Sequence, residues 1–194
     1  MFSVTRITKL ITLITLGIGM ASSAYAGGGT DVGFMLGAQN TDLSISGQYS
    51  GYSTSSKTGI LAGVIVIGDI GQPVLFRSGA YYSERSAVVS NSGLGVDATF
   101  KFSYIDVPVT VLYRFNDMFG VFGGGLLGVK ISDSCSGCNG VSTGVKSTYL
   151  AAQLGLDVKF DPNWSAEAFY DLGLGDIATD AKANSIGVGV IFTY

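Results

Sequence analysis

The sequence predicts an all-β chain: an eight-stranded antiparallel up-and-down transmembrane β-barrel behind a cleaved signal peptide. Three observations predict it. Tyr104–Phe115, YIDVPVTVLYRF, is apolar at every second residue, the period of a strand with one apolar face. The same alternation recurs in eight stretches whose connections alternate long and short, as in membrane barrels with short turns at one end and long loops at the other. The chain is also apolar overall, with mean hydropathy +0.43 and 13% charged residues. Yet beyond residue 26 it has no apolar run long enough for a spanning helix, which takes about 20 residues. A chain of that kind spans a membrane with strands or not at all.

The N-terminus reads as an export signal. Arg6 and Lys9 give a basic start, Leu10–Met20 is a short apolar run, and Ala24-Tyr25-Ala26 offers small residues for cleavage after Ala26. The apolar run is too short to cross a bilayer comfortably. Residues 27–194 then form one domain. Without Arg6 and Lys9, 9 of the 11 basic residues face 14 acidic ones, a net charge of −5. That excludes the basic footprint of a nucleic-acid binder.

The strands are expected in this order. Asp31–Ala38 sets Val32, Phe34 and Leu36 against Gly33, Met35 and Gly37. Residues 39–57 are polar and rich in Ser, Thr and Gly, which predicts a long loop with a short strand extension at Leu43–Ile45. Gly59–Ile67 is apolar on both faces, so its orientation is open. Val74–Glu84 turns Phe76, Ala80 and Tyr82 one way and Arg77 the other, and a second loop is expected over 86–100. After Tyr104–Phe115 comes a tight turn at Asn116-Asp117, then a strand at Phe119–Ile131. A third loop, 132–146, carries both cysteines. Thr148–Phe160 alternates Leu150, Leu154, Leu156, Val158 and Phe160 with Gln153, Asp157 and Lys159. Asp161-Pro162-Asn163 makes a turn, Trp164–Leu174 follows, and after a fourth loop near 175–183 the last strand ends at Tyr194.

Phe76, Tyr113, Phe115, Phe119, Phe160, Trp164, Phe192 and Tyr194 all fall beside the short turns or the C-terminus. Folded up, they form a ring at one level, an interfacial aromatic girdle. On the opposite faces Arg77, Arg114, Lys130 and Lys159 are expected inside the barrel with Asp106, Asp157, Glu167 and Asp171. Eight strands leave an interior that side chains fill, and buried charges must be paired. The hairpin at Pro162 sets Asp157 opposite Glu167, with Lys159 placed to relieve their repulsion. Structural pairing outweighs the alternative that these carboxylates are catalytic or line a conduction path.

No His is present, which removes Ser-His-Asp triads, Cys-His pairs and His-ligated metals. Cys135 and Cys138 form a C-x-x-C in an exported loop. A local disulfide is the plain reading, since a redox motif needs a helix N-terminus and a zinc site needs two more ligands. Gly123, Gly125 and Gly128 match G-x-G-x-x-G inside a strand with no helix after it, so they serve close approach of neighbouring groups rather than a nucleotide. No cofactor, metal or catalytic residue is expected.

At Tyr104-Ile-Asp-Val-Pro108 the chain resembles the PorT-like family of outer-membrane β-barrels. The surrounding order is similar too: Thr58-Gly59 to Val66, Tyr81-Tyr82-Ser83, the Gly-rich strand at 120–128, Tyr170-Asp-Leu-Gly-Leu-Gly175 and Gly187–Tyr194. OmpX-like and OmpA-like barrels are similar in architecture but share less of this order. One departure is Gly79, where the family often carries an inward Glu. The resemblance implies the outer membrane of a Gram-negative bacterium, and the aromatic C-terminus resembles the signal read by the barrel-assembly machinery. With the short turns and both termini facing the periplasm, the expected function is structural or surface-interacting, non-enzymatic, carried by the outer loops of a monomer embedded in outer-membrane lipid, with no ligand named by the sequence. The alternatives are a soluble periplasmic lipocalin-like carrier of an apolar ligand, a His-independent lipid-modifying enzyme, or a narrow channel.

Overall fold

The computed structural model describes residues 29–45, 52–91, 96–137, 144–178 and 181–194. The expected signal peptide lies outside the described residues. Eight strands follow one another: β1 (Thr30–Ile45), β2 (Tyr52–Gly71), β3 (Val74–Asn91), β4 (Val96–Arg114), β5 (Phe119–Ser136), β6 (Thr148–Asp161), β7 (Trp164–Gly173) and β8 (Ala181–Thr193). Each pairs antiparallel with the next, and β1 pairs with β8 from Gly33↔Thr193 to Ile45↔Ala181, closing the barrel. Closure satisfies the ladder without leaving an edge in the ring.

The alternation sets which face is which. In β4, Tyr104, Asp106, Thr110 and Leu112 point in and are buried, while Val109, Val111 and Tyr113 point out and are exposed. The same holds for β1, where Met35 is buried between exposed Phe34 and Leu36. β2, open in the sequence, turns Leu61, Ile65 and Ile67 inward and Ile60 and Val64 outward. The exposed side chains form a continuous apolar belt around the wall, the reverse of a soluble core.

The strands outrun the apolar alternation. Residues expected as loops at 39–57 and 86–100 are mostly strand: β1 continues to Ile45, β2 starts at Tyr52, β3 runs to Asn91 and β4 starts at Val96. β5 likewise extends to Ser136, and β8 begins at Ala181. Beyond the belt the two faces of a strand differ little, polar on both at Ser53–Lys57 and apolar on both at Val88 and Val89, so the period-two signal fades while backbone pairing persists, as in Tyr52↔Asn91 and Thr99↔Ser136. The turns stay short: 72–73, 115–118 and 162–163. Asn116 Oδ1 accepts from the backbone of Met118 and Phe119 at 2.9 and 2.8 Å, a side-chain-made turn.

Two local features depend on missing atoms. Pro108 has no N–H, and the β3–β4 ladder skips from Ser78↔Val109 to Tyr81↔Asp106. The Ser78 hydroxyl donates to the Pro108 carbonyl at 2.8 Å instead. Inside, the Phe122 ring lies over Gly155 and the Phe169 ring over Gly187, where any Cβ would collide with the ring. A narrow barrel thus fits two large rings by placing glycine on the facing strand. Gly187→Leu is expected to destabilise the barrel by about 1–3 kcal/mol or more through overpacking, lowering the temperature at which the folded gel band converts. Adding Phe169→Ala should recover part of the loss. An unchanged conversion temperature in the single variant would show that the ring has another place to go.

Candidate functional site: the interior and its two mouths

The lumen is filled by polar layers built from strands far apart in sequence. Nearest the turns, Arg114 of β4 pairs with Asp157 of β6 at 2.8 Å. In the middle, Arg77 of β3 grips Glu167 of β7 with two bonds, Nε to Oε1 at 2.7 Å and Nη2 to Oε2 at 2.5 Å. This is the bidentate fork that guanidinium and carboxylate geometry favours. Arg77 Nη1 also donates to Gln153 Oε1 at 3.3 Å, and its guanidinium stacks 4.4 Å from the Phe122 ring centroid. Towards the loops, Arg85 Nη2 donates to Asp106 Oδ2 at 2.8 Å and lies 3.9 Å from Asp171. Ser83 donates to Asp106 at 2.6 Å and accepts from Arg85 at 2.6 Å. The Arg85 guanidinium sits between Tyr104 and Tyr149, 5.4 and 4.5 Å from their centroids. Gln153 links the layers, donating to Asp171 Oδ1 at 2.9 Å and Tyr81 Oη at 3.3 Å.

The expected interior set is partly redistributed. Asp157 does stand opposite Glu167, but Lys159 does not separate them. Arg77 takes Glu167 from across the lumen, and Arg114 takes Asp157 from two strands away, over Gly120 of β5. Lys159, two residues nearer the turn, lines the open mouth instead and joins no ion pair among the described residues. Lys130 also stands apart from the buried layers: it pairs with Asp133 at 2.9 Å and donates to the Val145 carbonyl at 2.8 Å, near the loops. Arg85 is the residue the sequence reading missed. Its signal was present, since Arg77, Tyr81, Ser83, Arg85 and Ala87 continue one odd-numbered face past Glu84, where the strand was expected to stop.

The glycines of the G-x-G-x-x-G match behave unequally. A Cβ on Gly128 would stand 2.5 Å from Asp106 Oδ1, and one on Gly123 2.9 Å from Leu154, but one on Gly125 would meet nothing within 4 Å. Gly128 therefore makes room for the Arg85 layer, while Gly125 needs no such explanation. At Gly79 a Cβ would run into the Val64 carbonyl of β2, so an inward Glu has no place there. Cys135 is disulfide-bonded; Cys138 lies outside the described residues.

The two mouths differ. At the loop end, Val145 and Ile177 fold into the opening and pack in one buried apolar cluster with Leu43, Phe102 and Ala183. The backbone of Lys146 donates to the Ile177 carbonyl at 2.8 Å, and Tyr149 Oη donates to the Ala183 carbonyl at 2.9 Å. The turn end is open, a vestibule of about 670 Å³ lined by Arg114, Lys159, Asp31, Asp117 and Trp164 among others. Around that end the aromatic residues gather on the outside: Trp164 packs 4.9 Å from Phe192, Tyr113 lies 5.3 Å from Phe115, and Phe34 stacks 6.3 Å from Tyr194. Phe119 and Phe160 are exposed there and Phe76 is half-buried.

The family described as outer membrane protein beta-barrel domain matches residues 21–179. No curated protein matches the chain. Among solved structures, Neisserial surface protein A is similar at 18% identity and TM-score 0.56, covering 86% of this chain and 99% of its own. OprG from Pseudomonas aeruginosa is similar at 14% identity and TM-score 0.50, with 86% and 96% covered. The attachment invasion locus protein of Yersinia pestis, Ail, aligns at 14% identity and TM-score 0.49, with 85% and 99% covered. At these identities the likeness is one of fold.

Breaking the middle layer is expected to be costly. Glu167→Ala leaves Arg77 buried and unpaired, a loss of about 3–5 kcal/mol, read as a lower denaturant midpoint for the purified barrel in micelles. Replacing both partners, Arg77→Met with Glu167→Leu, should return most of that loss. A single variant as stable as the parent would mean that the pair contributes nothing to the fold.

Proposed function

We propose, for a chain that belongs to the outer membrane protein β-barrel domain family, a non-enzymatic role in surface interaction, carried by the loop end. Its place is the Gram-negative outer membrane, where the apolar belt meets lipid. The observation that carries the proposal is the filling of the lumen. Buried layers around Arg77 and Arg85 occupy the middle, and Val145 and Ile177 are buried with them toward the loop end. What the protein offers a partner is then its outer surface. Charged residues inside the wall serve solvation and packing rather than transport, because each Arg is matched to a carboxylate of another strand. The finer PorT-like assignment rests on the motif order from Thr58 to Tyr194 and belongs to this proposal.

The same proposal sets the orientation. Short turns and both termini face the periplasm, and the loop end faces outward, as the length asymmetry of outer-membrane barrels favours. The last strand, ending at Tyr194 beside the turns, is the segment offered to the barrel-assembly machinery, and the protein is a monomer in the lipid. An epitope placed after Gly137 should label on intact cells, while a C-terminal tag should label only after the outer membrane is permeabilised. The opposite labelling would invert the orientation. In planar bilayers the purified protein should show no resolvable conductance steps; steady single-channel currents would favour a narrow channel instead.

A further inference from the structure

The lipid-facing wall is not uniform. Around β8, β1 and β2 its outward positions carry large side chains, among them Val188, Phe34, Leu36 and Ile60. Over β5 to β7 they shrink. One rung of the ladder joins Val111, Gly123, Leu154 and Tyr170. The next rung toward the turns joins Tyr113, Val121, Leu156 and Ala168. Small residues at Gly123 and Ala168 leave a hollow of about 650 Å³, with Val111 and Tyr113 on one bank and Tyr170 and Ile186 on the other. The following rung toward the loops keeps the floor low with Gly125 and Ala152, which pair with each other.

The two outward glycines of β5 differ in their surroundings. Leu154 leans over Gly123, where a Cβ would stand 2.9 Å from its Cδ2. At Gly125 a Cβ would meet nothing within 4 Å, so no neighbour inside the protein requires a glycine there. Glycine weakens a strand and often marks a place where a ligand approaches closely. The hollow is continuous with the apolar belt, so what reaches it comes from the hydrocarbon. In that medium apolar surfaces gain nothing by leaving water, and only packing discriminates. A lipid chain passing at the height of the two banks would leave a gap and forfeit dispersion contacts on both sides. A chain that settles onto the floor recovers them. The turn-side end of the hollow also has a polar group. Tyr113 stands there, 5.3 Å from Phe115 of the aromatic girdle, and its hydroxyl has no hydrogen-bond partner among the described residues. A tyrosine at that level offers its O–H to the polar ends of lipids.

We propose that this hollow is a binding site for one acyl chain of a phospholipid, whose ester carbonyl accepts from the Tyr113 hydroxyl while its methylenes lie over Gly123 and Gly125. The phospholipid comes from the leaflet at the turn end; that this leaflet is periplasmic rests on the orientation proposed above. A second copy of the chain is a poor occupant. Two-fold pairing puts the same patch on both sides of the contact, which sets hollow against hollow and fills neither.

The test uses the full chain folded in nanodiscs that contain a phospholipid with a photoreactive group in one acyl chain. After illumination the cross-linked residues are mapped by mass spectrometry. Labels should fall on Val111, Gly123, Gly125 and Leu154 about tenfold more often than on Phe34, Leu36 and Val188. Phospholipid retained through purification in mild detergent is counted by native mass spectrometry. Gly125→Leu projects into open space and fills the hollow, so it should lower both labelling and retention by about tenfold, with the folded gel band kept. Ala152→Leu is a second filling variant, in case the first does not fold. Tyr113→Phe keeps the ring and should lower retention by about threefold or more through the lost hydrogen bond. Four results would overturn the site: labels spread evenly around the wall, retention unchanged in both filling variants, stronger labelling by a photoreactive lipid A in parallel discs, or a dimer that Gly125→Leu dissolves. Discs with the same phospholipid in both leaflets read the hollow whichever way the barrel points. Epitope labelling on cells reads the orientation, so either can fail while the other stands.

Discussion

Everything in this structure depends on the pairing of β1 with β8. An open eight-stranded sheet would leave two rows of backbone donors and acceptors facing hydrocarbon, each unsatisfied group costing several kcal/mol. The register from Gly33↔Thr193 to Ile45↔Ala181 removes both rows at once. Closure also fixes the circumference, and the circumference decides what the interior holds. Eight strands enclose a space that side chains fill, so inward residues must pack against one another with no wide lumen to relieve misfits. Glycines opposite Phe122 and Phe169, and Gly128 beside Asp106, are the local adjustments that result.

The filled interior explains why the charges come in pairs that join different strands. A carboxylate inside the wall has no solvent to lean on, and its strand neighbours are often carboxylates too, as Asp157 and Glu167 are. Relief arrives from other strands. Arg77 on β3 reaches Glu167 on β7 across the barrel, and Arg114 on β4 reaches Asp157 on β6 over the intervening Gly120. Arginine suits this task because its fork binds both oxygens and its flat face stacks on rings. Here Arg77 lies over Phe122, and Arg85 between Tyr104 and Tyr149.

The sequence was informative where the medium imposes a two-sided pattern and silent where it does not. Within the belt, the inside and outside of β1, β4, β6, β7 and β8 could be read from alternation alone. The outer halves of β2, β3, β4 and β5 could not, because Ser53–Lys57 are polar whichever way they face and Ala87–Val89 are apolar whichever way they face. Arg77, Asp106, Arg114, Asp157, Glu167 and Asp171 are legible as inward-facing residues, but Arg85, the outlying places of Lys130 and Lys159, and the pairing are not. Hairpin register identifies Glu167 as the neighbour of Asp157, whereas its counter-ion Arg114 comes from two strands away, over Gly120, through the β5–β6 register that no short turn sets. Arg85 escapes for a simpler reason: it lies one residue past Glu84, where the alternation predicts the strand to end. The closing cluster of Val145 and Ile177 left no trace either, as single apolar residues in loops carry no period.

The Arg77–Glu167 contact joins strands on opposite sides of the barrel. Neither residue has the other for company until the wall is nearly complete. A sheet released into lipid as separate hairpins would carry a bare cation on β3 and a bare anion on β7 into a medium that tolerates neither. The pair therefore rewards a wall that closes before its lumen leaves water.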